Sequence, residues 1–319
     1  MRVVAALGGN ALLRRGEPAE AEIQRRNLAH AVEGLAKLAA EHELIVTHGN
    51  GPQVGLLALQ SEAYREVRSY PLDVLGAESE GMIGYLLDQQ LGNALPGRSL
   101  ATLLTQVVVD ELDPAFELPT KYVGPVYLEA QARKLARERG WTVARDGETW
   151  RRVVPSPEPI RIVELETIRL LVDAGVLVIC AGGGGVPVVE ADGALHGVEA
   201  VIDKDLAASL LACELGADAL LLLTDVPAIV DGYGTDHPRP ISHATPAELR
   251  ALGLPPGSMG PKAEAACRFA ERTGGLAAVA QLDDAMEALQ GRAGTLIRSA
   301  AFPGFASVGR SVAATGADS

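Results

Sequence analysis

A chain of 319 residues, 48% of them hydrophobic, can bury a substantial core in one large domain or two lobes. Its formal net charge of −13 argues against a sequence-independent grip on nucleic acid, which needs a basic surface. Any phosphate ligand must therefore be held by a local positive site against a repulsive field. The chain opens directly on an apolar run, Val3 to Leu7, without the basic leader and apolar segment of a secretory signal. Ala19–Glu41 carries Ile23, Leu28, Val32, Leu35 and Leu38 at helical spacing. A second apolar run, Leu44 to Val46, follows. Gly51–Val67 and Asp73–Leu91 read as helices, and Leu100–Asp110 as the next strand. Asp113–Pro159 differs in composition, with six prolines and both tryptophans, Trp141 and Trp150. It reads as an excursion from the main sheet, holding one helix at Leu128–Gly140 and a hairpin around Asp146-Gly147. Regular alternation then resumes: helix Ile160–Ala174, strand from Val176, helix Asp205–Leu215, strand Ala219–Thr224, helix Pro261–Thr273, strand Leu276–Ala280 and a last strand near Gly294–Ile297. Repeated strand–helix units predict an α/β fold with a mainly parallel sheet between helices. Arg298–Ser319, rich in Ala, Gly and Ser, reads as a weakly ordered tail.

The three cysteines, Cys180, Cys213 and Cys267, lie far apart in apolar or helical stretches. They fit buried thiols of a reducing compartment better than a disulfide set or a zinc site. The longest apolar stretches, such as Ala217–Val230, are too short and too charged to span a bilayer. A cytoplasmic protein without a membrane or nucleic-acid partner, and without a metal held by its own side chains, is expected.

Three strands end in glycines: Leu7-Gly8-Gly9-Asn10, His48-Gly49-Asn50-Gly51 and Cys180 followed by Gly182–Gly185. Ligands of parallel sheets sit at the carboxyl ends of the strands, where bare backbone N–H groups can meet an anion. The first loop lacks both the P-loop and the dinucleotide spacing, and alone is equally well a tight turn. In the second, Pro52 suits the first turn of a helix, so the amides of Gly49, Asn50 and Gly51 could face an anion. His48 is either a base or a brace of the loop, and bracing is the preferred reading. Four consecutive glycines are entropically costly for a mere connector, which suggests close approach to backbone. Asp203-Lys204-Asp205 opens a helix, and its acids could simply cap it. Lysines in the first turn of a helix, Lys204 and Lys262, are unfavourable unless an anion sits there. Lys121 alone reads as solvated, and Thr224-Asp225 alone as a turn.

Taken in order, these segments resemble the amino acid kinase superfamily and, within it, the carbamate kinases. The resemblance is carried by Ala6–Leu12, Thr47–Gly55, Gly76–Tyr85, Asp113–Phe116 with Pro119-Thr120-Lys121, Arg151–Pro157, Gly197–Asp205, Thr224-Asp225-Val226 and Gly257–Lys262. It departs at Glu80, where Gln is expected, and in Val230–Gly234. The resemblance implies a three-layer αβα sandwich spanning 1–297, an open, mainly parallel sheet, a small protruding subdomain at about 113–159, and a homodimer. It implies reversible phosphoryl transfer between ATP and carbamate, giving ADP and carbamoyl phosphate, with Mg²⁺, in arginine or related nitrogen catabolism. Lys204, Asp205, Lys262 and Lys121 take the catalytic places. Gly8, Gly9, Asn10, Gly49, Asn50 and Gly51 form the substrate cradle. Thr224, Asp225, Val226, Tyr233, Met259 and Gly260 form the nucleotide side. A kinase of another small acid, or a silent nucleotide-binding sensor, is the alternative. Carbamate is already an anion and needs no base to attack phosphorus, which matches the lack of an Asp–His constellation.

Overall fold

The computed structural model describes residues 1–299 apart from 15, 65, 234, 236 and 256–258, and it does not describe the side chain of Asn10. The expected tail therefore lies outside the described residues from 300 onward. So do Gly257 and Ser258 ahead of Lys262, and Gly234.

Eight strands form the main sheet, in the spatial order His243–Ala244, Thr295–Ile297, Leu276–Gln281, Ala219–Thr224, Arg2–Leu7, Glu43–His48, Leu177–Ile179 and Leu100–Thr102. The last six run parallel, and the first two run against them. Alternation along each strand sends side chains to opposite faces. Val3, Ala5 and Leu7 join Val46 and Leu221 under helices Ala21–Glu41 and Leu72–Ala94, through Leu28, Leu35, Ile83 and Leu87. Val4 and Ala6 join Ile45, Leu220 and Leu222 under helices Leu165–Asp173, Lys204–Glu214 and Met259–Thr273, through Ile168, Leu211 and Phe269. Burying each of the Val, Leu, Ile and Phe side chains among these contributes about 1.5–3 kcal/mol, so both faces are driven shut and the three-layer sandwich follows. Arg2–Leu7 lies at the centre, with the next strand in sequence, Glu43–His48, on one side and the much later Ala219–Thr224 on the other, so the strand order reverses here. The crevice at its carboxyl end is therefore a place where ligands of such sheets bind.

Two expected elements are divided. The apolar run Leu100–Asp110 contributes Leu100–Thr102 to the main sheet and Gln106–Val108 to a second, four-stranded sheet with Val186–Ala191, Ala194–Gly197 and Arg161–Ile162. The crossing is fixed at both ends. The Leu103 amide still donates to Ile179 O at 2.9 Å, while the Gln106 amide donates to the Glu164 carboxylate at 2.7 Å. For the same reason the segment read as a helix from Ile160 begins as a strand and turns helical only at Leu165.

Within the proline-punctuated stretch, Lys121–Tyr127, Thr149–Val154 and Thr142–Asp146 make an antiparallel sheet, with helix Glu129–Arg139 between its first two strands in sequence. Arg139 and Arg152 each lie 5.0 Å from the centre of the Trp141 ring. Val123 and Val154 pack on Val54, Ala58, Leu72 and Leu75, which docks this sheet on helix Gly51–Ala63. At the closest point Gly55 faces Gly124: a Cβ on Gly55 would stand 2.1 Å from Gly124 Cα. Among the described residues no helix is long and apolar enough to cross a membrane.

Candidate active site

The first two glycine loops meet at the carboxyl ends of adjacent strands. The Gly8 amide donates to Leu223 O at 2.8 Å and the Gly49 amide to Leu7 O at 3.0 Å. Both therefore extend the sheet and neither is free to hold an anion. Their service is to let neighbours approach: a Cβ on Gly49 would lie 3.2 Å from Gly9 N and 3.3 Å from Lys204 Cδ. The amides left to face a ligand are those at the start of helix Gly51–Ala63, where intrahelical partners are lacking. Asn50 stands at the N-cap of that helix, but its side chain turns away and donates to Ser79 Oγ at 2.8 Å. Asn10 lies in a short helical turn, Gly9–Ala11.

The Gly182–Gly185 run supplies a wall, and each glycine has a distinct reason to be bare. A Cβ on Gly182 would strike His48, one on Gly183 the Asn50 amide, one on Gly184 Ile202 O and one on Gly185 Val107 Cγ2, all at 2.5 Å or less. Gly183, Gly184 and Gly185 also take φ of +69°, +98° and +86°, which side-chain-bearing residues rarely adopt.

Helix Lys204–Glu214 brings the charges. Asp203 caps it, accepting from the amides of Asp205 at 2.9 Å and Leu206 at 3.3 Å. Asp205 does not cap; its two oxygens divide between Lys204 Nζ at 2.5 Å and Lys262 Nζ at 2.8 Å. The Asp205 side chain is 4% exposed and the lysines 11% and 13%. Burial works against the Asp205 charge, but the two ammonium groups outweigh it and hold the carboxyl far below the usual range. Burial pulls Lys204 down to about 8 in spite of Asp205, and Lys262 adds to the depression. Burial also opposes the charge of Lys262, yet Asp205 and Asp203 more than compensate and leave it raised. Lys121 reaches over from the antiparallel sheet, and its Nζ donates to Asp203 Oδ2 at 2.5 Å. Counting Lys121 and Asp203 as a pair, two buried ammonium groups share one carboxylate. This cluster is one negative charge short, which is the electrostatic signature of a site made to receive an anion.

Gly9, Gly49, Asn50, Gly51, Gly183, Lys121 and Lys204 line one cavity of about 200 Å³. Lys262 joins them through Asp205. Thr224 and Asp225 instead line a second cavity, of about 360 Å³, with Ala11, Arg14, Asn27, His30 and Gln281. Gly8 connects the two places, since a Cβ there would lie 3.6 Å from Thr224 Cα. Met259 and Gly260 open the helix that carries Lys262, and the Gly260 amide donates to Pro255 O at 2.9 Å. Tyr233 is 80% exposed and Val226 half-buried; neither lines these cavities.

His48 is a brace. Its Nδ1 faces Gly49 O at 3.2 Å, and burial draws the ring down to about 4, with the Lys204 charge acting in the same direction. The imidazole is thus neutral near pH 7, with its proton on Nδ1. Cys180 and Cys267 are buried, and all three cysteines are free. Two residues that touch these loops, Ser79 and Glu80, lie in the Gly76–Tyr85 segment but have no role in the sequence reading. Their signal is positional: they interrupt the apolar stripe Leu72, Leu75, Ile83 and Leu87, where solvated side chains have no place.

Comparison with known proteins gives a consistent picture. The model of the amino acid kinase family matches residues 1–280. The carbamate kinase of Rhizobium meliloti is 55% identical over 303 residues, covering 94% of each chain. That of Haemophilus influenzae is 53% identical over 299 residues, covering 93% of this chain and 96% of its own. The carbamate kinase from Giardia lamblia bound to AMP-PNP superimposes with a TM-score of 0.85 at 42% identity, covering 93% of this chain and 98% of that one.

Proposed function

The chain belongs to the amino acid kinase family, and from that premise we propose how its site works. Its activity is that of a carbamate kinase: reversible phosphoryl transfer between ATP and carbamate, giving ADP and carbamoyl phosphate. In the forward direction a carbamate oxygen forms a bond to the γ-phosphorus as the bond from that phosphorus to the β,γ-bridging oxygen breaks. ADP leaves with the electron pair, and no proton has to be removed from the nucleophile. The need is to bring two anions together and to cover charge spread over the transferring oxygens. Lys204 and Lys262 supply the positive charge, Asp205 holds them in place, and Lys121 closes over the cavity from the antiparallel sheet. Gly9, Asn10 and the amides around Asn50 and Gly51 cradle the small acyl anion, while Gly8 and Gly49 leave room for it. The nucleotide lies towards Thr224, Asp225, Val226, Tyr233, Met259 and Gly260. The charge-deficient Lys204–Asp205–Lys262 cluster carries this reading.

Among the described residues no three His, Cys, Asp or Glu side chains gather as metal ligands. Magnesium accordingly enters this proposal as the companion of the nucleotide phosphates, as part of the substrate, and no step is assigned to it. The unit spanning 1–297, with 113–159 as its protruding subdomain, works as a homodimer in the cytoplasm and makes ATP from carbamoyl phosphate in arginine or related nitrogen catabolism. The likeness to full-length carbamate kinases supports this setting.

The test is the reverse reaction. Purified protein given ADP and carbamoyl phosphate forms ATP when Mg²⁺ is present. With ATP it releases ADP on addition of ammonium bicarbonate and not of N-acetylglutamate. Nucleotide binding by thermal shift without transfer in either direction would favour a silent sensor instead.

A further inference from the structure

A carboxyl group that the proposed chemistry does not use lies directly behind the glycine wall. Glu80, 1% exposed, accepts the Gly182 amide at 2.8 Å on one oxygen and the Thr105 amide at 3.2 Å on the other. The Thr105 hydroxyl in turn accepts the Ala181 amide at 2.9 Å and donates to Leu103 O at 3.1 Å. The preceding residue, Ser79, holds the Asn50 side chain, against which Gly183 packs. Two consecutive residues of helix Leu72–Ala94 thus grip two loops that pack against each other at the wall of the cavity.

We propose that Glu80 is a positioning residue for phosphoryl transfer, holding the Gly182–Gly185 run in register with the second glycine loop through the amide of Gly182. This rests on the reading of the adjoining cavity as the transfer site. The groups around Glu80 do not supply a compensating charge. Among the described residues they are the Thr105 hydroxyl, the Glu164 carboxylate, the Cys180 thiol and the neutral imidazole of His48, on which the Lys204 charge also acts. Among the described residues His48 Nε2 is buried without a hydrogen-bond partner, and both it and the Glu80 side chain crowd the place a Cβ on Gly182 would take. Burial pushes the Glu80 carboxyl up to about 8, although the Thr105 and Gly182 amides favour its charged form. Near pH 7 the group accepts its two amides as a neutral acid. Above pH 8 it becomes a carboxylate, placing a negative charge behind a wall that two anions must approach. Glutamine at this place keeps an acceptor for Gly182 and cannot ionise, but its NH2 group takes the place of the oxygen that accepts the Thr105 amide.

The experiment measures kcat/KM for carbamoyl phosphate with saturating Mg·ADP, for wild type, Glu80→Gln and Glu80→Ala, from about pH 6.5 to about pH 9.5. Glu80→Ala is expected to lose about tenfold at neutral pH, and Glu80→Gln, which keeps the acceptor for Gly182, to recover part of that loss. The titration of Lys204 is common to wild type and Glu80→Gln and cancels in their ratio. That ratio is expected to fall about threefold or more across pH 8. A flat ratio overturns the proposal, as does Glu80→Ala with wild-type kcat/KM. If Glu80→Ala does not fold, the wild-type to Glu80→Gln ratio decides alone. Wild-type protein that makes no ATP would instead overturn the phosphoryl-transfer reading, and the positioning role with it.

Discussion

Lys204, Asp205 and Lys262 sit inside the sandwich, on two helices of one packed layer, whereas Lys121 comes to the same place from the antiparallel sheet and meets Asp203 across the gap. The first group is at most 13% exposed; the Lys121 side chain is 36% exposed. The buried group is arranged before any ligand arrives, because the helices that carry it are held by the core. The Lys121 contact joins the antiparallel sheet to the cap of helix Lys204–Glu214, and on the proposed reading it is remade at each turnover. On that reading one fold thus presents a fixed positive floor and a separable positive cover.

Removing the shared carboxylate should break the fixed side most severely. Asp205→Asn leaves two buried ammonium groups without the carboxylate they share. It is expected to cost about 3–5 kcal/mol of stability in urea unfolding and about 10³-fold in kcat. Removing a single buried cation is milder. Lys204→Met and Lys262→Met should each lower kcat by about 10²–10³-fold with little change in melting temperature, since either deletion relieves the crowding of like charges. Retention of near wild-type turnover by both, while folded, would overturn the assigned roles. Acidity sharpens the contrast between the lysines. The free enzyme should lose kcat/KM above about pH 8 as Lys204 gives up its proton. A bound anion favours the charged form, so the corresponding limb in kcat should lie at higher pH. The cover is expected to show the smallest effect on stability. Lys121→Met should change it by no more than about 1 kcal/mol, yet raise the KM of the phosphoryl donor. If Lys121→Met lowered the melting temperature as much as Asp205→Asn does, the distinction between floor and cover would fail.

The main sheet was legible because buried parallel strands are short apolar runs ending in glycine, a local signal. The buried cluster was legible too, since lysines in the first turn of a helix are locally unfavourable and so announce a partner. What stayed hidden depends on pairing between distant segments. Leu100–Asp110 reads as one strand because nothing local marks the crossing; the Glu164 carboxylate that redirects it comes from far along the chain. The amides of Gly8 and Gly49 looked free to hold an anion, and only the register of neighbouring strands reveals that Leu223 and Leu7 take them. Asp203 read as a cap, which it is, but its second oxygen meets a lysine that sequence alone could have left in solvent. Glu80 stood out in the sequence only as a departure from an expected Gln, and what it holds became visible once its helix was packed.

The bare meeting of Gly55 and Gly124 turns the antiparallel sheet into a lever. Its fulcrum is a backbone-to-backbone contact, and Lys121 stands on the same strand, about 10 Å of extended chain away. A single methyl group at position 55 would act as a wedge. The sheet would have to tip by about 1.5 Å to restore ordinary contact, and the ammonium group at the other end of the arm would be carried with it. A change that adds one carbon and no charge, on a helix face away from the reacting atoms, would thereby be felt at the phosphoryl group.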